Sequence, residues 1–354
     1  MPKASNGVKS IEDFSVSSSR VLVRCDFNVP SDKDGNILDD FKIKQALSTI
    51  KYLMEGQAKI ILMSHLDPES TGVADRKYTL DKVAERLSDY LSVTIEKEND
   101  CIGPDIENET NKLKPGHVLL LENLRFHKEE KENDPEFAKK LSYLGDIYVN
   151  DAFGCCHRED ASIVGVPKNL PNCAGLLLKK EITTLEGVLK NPEKPMVVIV
   201  GGKKVETKSK FIENISAVAD CVIVSGLIAK EISEKSIKFK YPEKIIIPVG
   251  DLSALDINEE SIKIFCDKIS IAKTVLWNGP FGKFEERKYA KGTLFIAKAI
   301  IKSEAFSVVG GGETVEFLNK QGMIDKFTHV STGGGAMLAY LSGNELPGLR
   351  ALEK

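Results

Sequence analysis

Short apolar runs rich in β-branched residues alternate from end to end with amphipathic helical patterns, and that alternation confines the chain to an α/β fold. In the first half VLVRCDF, AKIILMS, HVLLLENLR and DIYVNDAF read as strands. Between them IKQALSTIKYLM, TLDKVAERLSDYL and DPEFAKKLSYL carry apolar residues at helical spacing. In the second half PMVVIVGG, CVIVSG, KIIIPVG, TVLWNGP, FSVVGGG and THVSTGG repeat the theme. Strand–helix succession predicts parallel sheets with helices on both faces, and strands this apolar fit burial from both sides. The first ten residues and 97–115 read as loops.

The segment 174–190, AGLLLKKEITTLEGVLK, is a long helical pattern with no strand beside it, and NPEKP follows. It predicts a lobe over 1–173, a connecting helix over 174–191, a second lobe over 192–340 and a tail over 341–354. A chain of 354 residues is long enough for two such domains. Lys and Arg number 49 against 52 Asp and Glu, so no bulk positive field favours nucleic acid or an anionic membrane, and any anion site is local. No run approaches a membrane span, and the opening MPKASNGVKS lacks an apolar segment; the expected location is the cytoplasm. Seven scattered cysteines show no metal or disulfide spacing and read as free thiols.

Three glycine-rich strand-to-helix turns stand out: Gly201-Gly202-Lys203-Lys204, Gly310-Gly311-Gly312-Glu313-Thr314 and Gly333-Gly334-Gly335. In α/β sheets ligands sit at strand carboxyl ends, where helix N-termini offer free N–H groups and glycine lets an oligophosphate approach the backbone. One such turn is commonly just a tight turn; three in one domain favour phosphate binding. Neither the dinucleotide fingerprint nor the Walker A spacing is present. Lys204 and Lys208 follow the first turn four residues apart, which on a helix is one face. Two ammonium groups there would offset charge on a transferred phosphoryl group, although KKVETKSK also reads as a solvated helix. In the first half Arg24, Asp26 and Asn28, then Ser64 and His65, Arg125, and His157-Arg158 stand at strand ends. Each alone would be a salt-bridge partner; together they favour a pocket for a small anion. Asp151 and Glu313 each offer Mg²⁺ a carboxylate, or equally a turn cap and a partner for a helix dipole. Cys155-Cys156 read as a small core pair.

The segments VLVRCDFNVPSDKDGNI, ILMSHL, LLLENLRFHKEEKENDPEFAKKL, YVNDAFGCCHR, GGKKVETK, VLWNGPFGKFE, VVGGGET and HVSTGGGAML occur in this order, and through them the chain resembles the phosphoglycerate kinase family over nearly its whole length. The resemblance implies two Rossmann-like parallel-sheet lobes separated by a cleft and joined by the long helix. The first lobe would bind 3-phosphoglycerate or 1,3-bisphosphoglycerate, the second Mg-ATP or Mg-ADP, in a monomer whose tail ELPGLRALEK packs back on the first lobe. The implied reaction is reversible phosphoryl transfer from 1,3-bisphosphoglycerate to Mg-ADP. Matched position by position, Arg24, Asp26, Asn28, His65, Arg125 and Arg158 fall on acid-substrate residues. Lys204 falls on the lysine thought to travel with the transferred group, and Lys208 on a nucleotide-phosphate lysine. Gly202, Gly311, Gly312 and Thr314 fall on phosphate-binding turns and Glu285 on a ribose contact. Glu313 stands where the family usually has the aspartate of the Mg-nucleotide. With Lys42, the residues implied to act on the transferring group are Lys204 and Gly312.

Departures from the family pattern surround the acid pocket. Lys42 stands where the family has an arginine that touches both the carboxylate and the transferring group. SHLGRP reads SHLDP, which introduces Asp67, and Asp160 replaces a histidine. In the second lobe a glycine turn reads Ser225-Gly226-Leu227, Asn258-Glu259 replaces Gly-Pro, and the stretch from Ile232 to Asp256 is short. These changes predict weak acid binding and poor discrimination among bases. They keep open an alternative, a catalytically weak homologue that binds a nucleotide or a partner protein.

Overall fold

Crossovers through helices require parallel strands, and all strands here pair in parallel. The computed structural model describes residues 7–66, 75–202 and 208–353, so Lys204 and Asp67 lie outside the described residues. One sheet contains β1 (Arg20–Arg24), β2 (Lys59–Met63), β3 (Glu96–Lys97), β4 (Val118–Leu120), β5 (Ile147–Asn150) and β6 (Asn172–Ala174), in the order β3-β4-β2-β1-β5-β6. The other contains β7 (Met196–Val200), β8 (Cys221–Val224), β9 (Ile245–Ile246), β10 (Thr274–Asn278), β11 (Phe306–Gly310) and β12 (His329–Val330), in the order β12-β11-β10-β7-β8-β9. The second order is that of the doubly wound dinucleotide-binding fold, with its switch point between β7 and β10. In the first sheet the chain leaves β1 toward β2 and later arrives at β5 on the opposite side, which puts a switch point between β1 and β5. Register aligns the strand ends there: Arg24 lies opposite Asn150 and Met63, and Asn278 opposite Val200 and Gly310.

The described residues divide into two compact units, 7–182 with 346–353, and 183–345. The first core centres on Val21, Val23, Ile43, Ile50, Leu62 and Leu120; the second on Ile199, Phe265, Val275, Trp277, Ile296 and Phe317. Each such side chain contributes about 1.5–3 kcal/mol when fully buried. No helix among the described residues is long and apolar enough to cross a membrane.

Local chemistry sets several helix starts. Asp134 accepts from Phe137 N–H at 2.8 Å ahead of Pro135. Two of the departures in the second unit are caps: Asn258 accepts from Ser261 N–H at 2.8 Å, and Ser225 from Ile228 N–H at 3.4 Å. The helix Leu176–Lys190 runs from one unit into the other. Its first turn is anchored by Asp151, whose Oδ1 accepts from Leu178 N–H at 3.1 Å. Gly175 makes this approach feasible, since a Cβ there would lie 2.2 Å from the same oxygen. Asp151 is wholly buried, and burial raises its carboxyl to about 7, so of the two sequence readings the cap is the one observed rather than a Mg²⁺ ligand.

The segment 97–115, read as a loop, contains the helix Pro104–Lys112. It starts on proline and buries only Ile106 and Thr110, too few to make a periodic pattern. β3 and β6, two and three residues long, are too short to show a period, and β6 directly precedes the helix whose sequence shows no strand beside it. KIIIPVG yields only the two-residue β9. The last described segment packs on the first unit, where Gly348 N–H donates to Cys156 O at 2.9 Å.

Candidate active site

In the first unit, the loops after β1, β2, β4 and β5 assemble a basic cluster at the switch point. Arg24, the last residue of β1, is wholly buried. Its Nε donates to Ser162 Oγ at 2.7 Å and one Nη lies 3.9 Å from the buried Glu130. Ser162 holds Glu130 in turn through Oγ at 2.5 Å and N–H at 2.9 Å. The other end of the cluster is Arg158, which is partly exposed. His65 lies between the two arginines, with Nδ1 3.1 Å from Arg24 Nη2 and Nε2 3.1 Å from Arg158 Nη1. Burial, reinforced by Arg24, Arg158, Arg125 and Lys42, holds the His65 imidazole well below its ordinary pKa. A neutral imidazole has one acceptor nitrogen, so only one arginine contact is a hydrogen bond and the other sets donor against donor.

Arg125 sits in a single turn, Leu124–Phe126, capped by Asn123. The Asn123 side chain accepts from Arg125 N–H at 3.0 Å and from Leu66 N–H at 3.1 Å, and donates to Leu66 O at 2.8 Å and Tyr78 O at 2.9 Å. It thereby ties the arginine turn to the loop after β2. Arg125 Nη2 donates to Asp160 Oδ2 at 2.8 Å, both side chains being buried. Burial lowers the Arg125 pKa, with the charge of Asp160 opposing that. Lys42 Nζ donates to Asp26 Oδ2 at 2.8 Å, while Asp26 Oδ1 accepts from Asn28 N–H at 3.1 Å. The seven acid-pocket candidates Arg24, Asp26, Asn28, Lys42, His65, Arg125 and Arg158 all belong to this unit, and those with exposed surface are Arg158, Lys42 and Asn28. Sequence reasoning missed Asn123, Glu130 and Ser162. The segment LENLRFHKEEK contains the first two, but nothing in it distinguishes a buried glutamate from a surface one.

In the second unit, glycine turns meet at the β7/β10 switch point. Gly201 N–H donates to Asn278 O and Gly202 N–H to Pro280 O, both at 2.8 Å. A Cβ on Gly201 would lie 2.2 Å from the carbonyl oxygens of Gly279 and Pro280, so the two strand ends approach this closely only through glycine. Gly279 N–H donates to Thr314 Oγ1 at 2.9 Å, and Trp277 Nε1 donates to Gly279 O at 2.9 Å. The Thr314 hydroxyl is therefore buried and already engaged. Lys208 donates to Gly201 O, and burial lowers its amine to about 8, with Glu313 opposing that shift. Lys208 is the residue before the helix Ser209–Ser216; Lys204, read as its neighbour on one helix face, lies outside the described residues. Gly311 precedes the helix Gly312–Lys320, whose first two residues, Gly312 and Glu313, are exposed, with Gly312 in open space. A pocket opens along these strand ends. Gly202, Glu285 and Glu313 line it with polar groups, and Leu227, Leu255 and Phe284 with apolar ones.

Residues 11–236 and 228–344 match the family model for phosphoglycerate kinase. A phosphoglycerate kinase of Borreliella burgdorferi is 42% identical over 392 residues, covering 98% of this chain and 99% of that protein. One of Dictyoglomus turgidum is 41% identical over 396 residues, covering 99% of each. Among solved structures, phosphoglycerate kinase from Pyrococcus horikoshii OT3 superposes with a TM-score of 0.85 at 33% identity, covering 97% of this chain and 98% of that one. The enzyme from Coxiella burnetii gives 0.81 at 31%, covering 98% of both. With both sheets, both switch points and nearly every residue matched, the chain belongs to the phosphoglycerate kinase family.

Proposed function

We propose that the chain catalyses reversible phosphoryl transfer between the acyl phosphate of 1,3-bisphosphoglycerate and ADP, giving 3-phosphoglycerate and ATP. The observation that carries the nucleotide half is the buried Lys208 amine at the Gly201–Gly279 junction, beside a pocket with one apolar wall and one acidic rim. That pocket fits a flat base between Leu227, Leu255 and Phe284, the ribose on Glu285, and phosphates along Gly202, Gly311 and the free N–H groups of Gly312 and Glu313. Glu313 is a single exposed carboxylate, a donor set that suits Mg²⁺, which takes one or two carboxylates and completes its shell with phosphate oxygens and water. When bound, Mg²⁺ neutralises charge on the phosphate oxygens.

The acid substrate is assigned to the cluster around His65. An anion there supplies an acceptor to the arginine that meets the His65 N–H. Arg24 works through His65, and Lys42, Asn28 and Asp26 close the other flank. No protein nucleophile is needed, because alignment and charge compensation suffice for direct transfer. Lys204 is assigned the transferring phosphoryl group from the family pattern. The same reading has the chain acting in the cytoplasm as a monomer, without nucleic acid or membrane; its net charge of −3 supports the last two.

Lys208 predicts how binding depends on pH. Its amine, held at about 8 by burial, is charged at pH 7 and neutral well above 8. If phosphate binds the charged form, affinity for Mg-ADP is constant below pH 8 and falls by up to about tenfold per unit above it, with proton uptake on binding near pH 8. Calorimetry in buffers of different ionisation enthalpy measures both. Affinity flat to pH 9.5 would remove Lys208 from the phosphate site.

Lys42 predicts a gain. Its ammonium is committed to Asp26 at 2.8 Å, whereas a guanidinium fork can hold Asp26 and still present N–H groups to the substrate. Lys42→Arg is expected to lower KM for 3-phosphoglycerate roughly tenfold, one charge-assisted hydrogen bond's worth, and to raise kcat. Steady-state kinetics unchanged in both constants would show that another group fills the role.

A further inference from the structure

Away from the two pockets, Asp100, Cys101 and His127 bring three different metal-ligating side chains to one point. Their ligand atoms lie within 4.8 Å of one another. Asp100 and Cys101 follow β3, and His127 directly follows the turn that carries Arg125. A second group of this kind, Asp26, His65 and Cys155, stands among Arg24, Lys42 and Arg158, whose charges oppose a cation, and it belongs to the substrate cluster.

We propose that Asp100, Cys101 and His127 form a binding site for a divalent cation of the zinc class, with water as fourth ligand. His127 Nε2 lies 2.7 Å from Asp100 Oδ1, and in the neutral tautomer with its N–H on Nδ1 the Nε2 lone pair is available to a metal ion. The Cys101 thiol is buried, and no hydrogen bond links it to another residue among the described ones. Asp100 is half exposed and His127 a quarter exposed, which leaves the ion and its water a way in. Tetrahedral zinc with bonds of about 2.0–2.3 Å needs its ligand atoms about 3.3–3.6 Å apart. The ion would part Nε2 and Oδ1 by about half an ångström and draw the thiol in by up to about one.

Glu122 and Glu130 stand near the thiol, the first paired with Lys97 at 2.5 Å and the second facing Arg24. Cys101 N–H donates to Asp100 Oδ1 at 2.6 Å, and Glu122 N–H to Asp100 O at 3.2 Å, so the ligand loop is held in place. The His127 ring packs on Phe137 at 5.2 Å between centroids. A sulfur, nitrogen and oxygen set selects zinc-like ions over Mg²⁺ and Ca²⁺. Binding releases the thiol proton to solvent. It also fastens the loop after β3 to the turn that carries Arg125.

Cobalt substitution tests this. The metal-free full-length protein, titrated with Co²⁺, is expected to develop one equivalent of a thiolate-to-cobalt charge-transfer band with tetrahedral visible bands, both lost on adding Zn²⁺. Cys101→Ser is expected to lose the charge-transfer band while keeping its Mg-ADP affinity. His127→Gln, which spares the thiol, is expected to weaken Co²⁺ binding at least tenfold. Absence of the band from the wild type, its persistence in Cys101→Ser (another thiol binding the ion), or unchanged affinity in His127→Gln would each overturn the site.

Discussion

Replacing Lys208 by methionine is expected to cut turnover and weaken Mg-ADP binding by about a hundredfold or more each, without lowering the unfolding midpoint. The functional loss follows from removing a desolvated cation at the proposed phosphate site, where one preorganised charged donor is worth roughly 3–4 kcal/mol in the transition state. The stability result follows from linkage. A free lysine titrates near 10.5, but this one is held at about 8 by burial, so the folded state resists the charge. The resulting destabilisation, on the order of 3 kcal/mol, is fully present below pH 8 and relieved as pH rises from 8 to 10.5. Methionine keeps the apolar stem and volume and removes that burden, while giving up the hydrogen bond to Gly201 O, worth about 1 kcal/mol. Kinetics, calorimetry and thermal unfolding on one preparation give the answer. A variant that unfolds several degrees earlier yet binds Mg-ADP normally would make Lys208 a structural residue.

Arg125 and Asp160 form the pair for which substitution should be most damaging to the first unit. Both are buried, at 2.8 Å. Arg125→Leu leaves the Asp160 carboxylate buried with its ion-pair partner removed, a loss of about 3–5 kcal/mol, and Asp160→Leu does the same to the guanidinium. The double variant, with neither charge buried, is expected to be more stable than the sum of the single losses by at least about 2 kcal/mol. Catalysis separates the two. Arg125→Leu should raise KM for 3-phosphoglycerate about tenfold or more, whereas Asp160→Asn should lower it, because the fork now engaged by Asp160 becomes free for the substrate. Denaturant unfolding of the four proteins together with their kinetics tests this; additive single losses, or an unchanged KM in Asp160→Asn, would contradict it.

The fold was legible because strand–helix alternation survives in nearly every segment, and because glycine turns mark where β7 and β11 end. Elements with two or three buried positions, β3, β6 and Pro104–Lys112, fall below what periodicity resolves. The charged clusters were legible by residue type and place along the chain. What each charge touches was not. Asp160 reads in sequence as a departure that weakens acid binding and is in the structure the partner of Arg125. Arg24 reads as a ligand arginine and is wholly buried against Ser162 and Glu130. Asp151 reads as a metal ligand or a cap, and only the packing of Gly175 and Leu178 against it decides. Such pairings join residues far apart in the chain, 138 positions for Arg24 and Ser162, and no local pattern encodes them.

A coupled steady-state assay of the purified wild-type protein with ATP, Mg²⁺ and 3-phosphoglycerate, reading 1,3-bisphosphoglycerate formation through its reduction, tests the central claim most directly. The account predicts turnover that requires both substrates, with a high KM for 3-phosphoglycerate that rises further with salt because few exposed cations hold a doubly charged ligand. No product above the enzyme-free control, from protein that still binds Mg-ADP, would contradict it and leave a nucleotide-binding protein without the family's reaction.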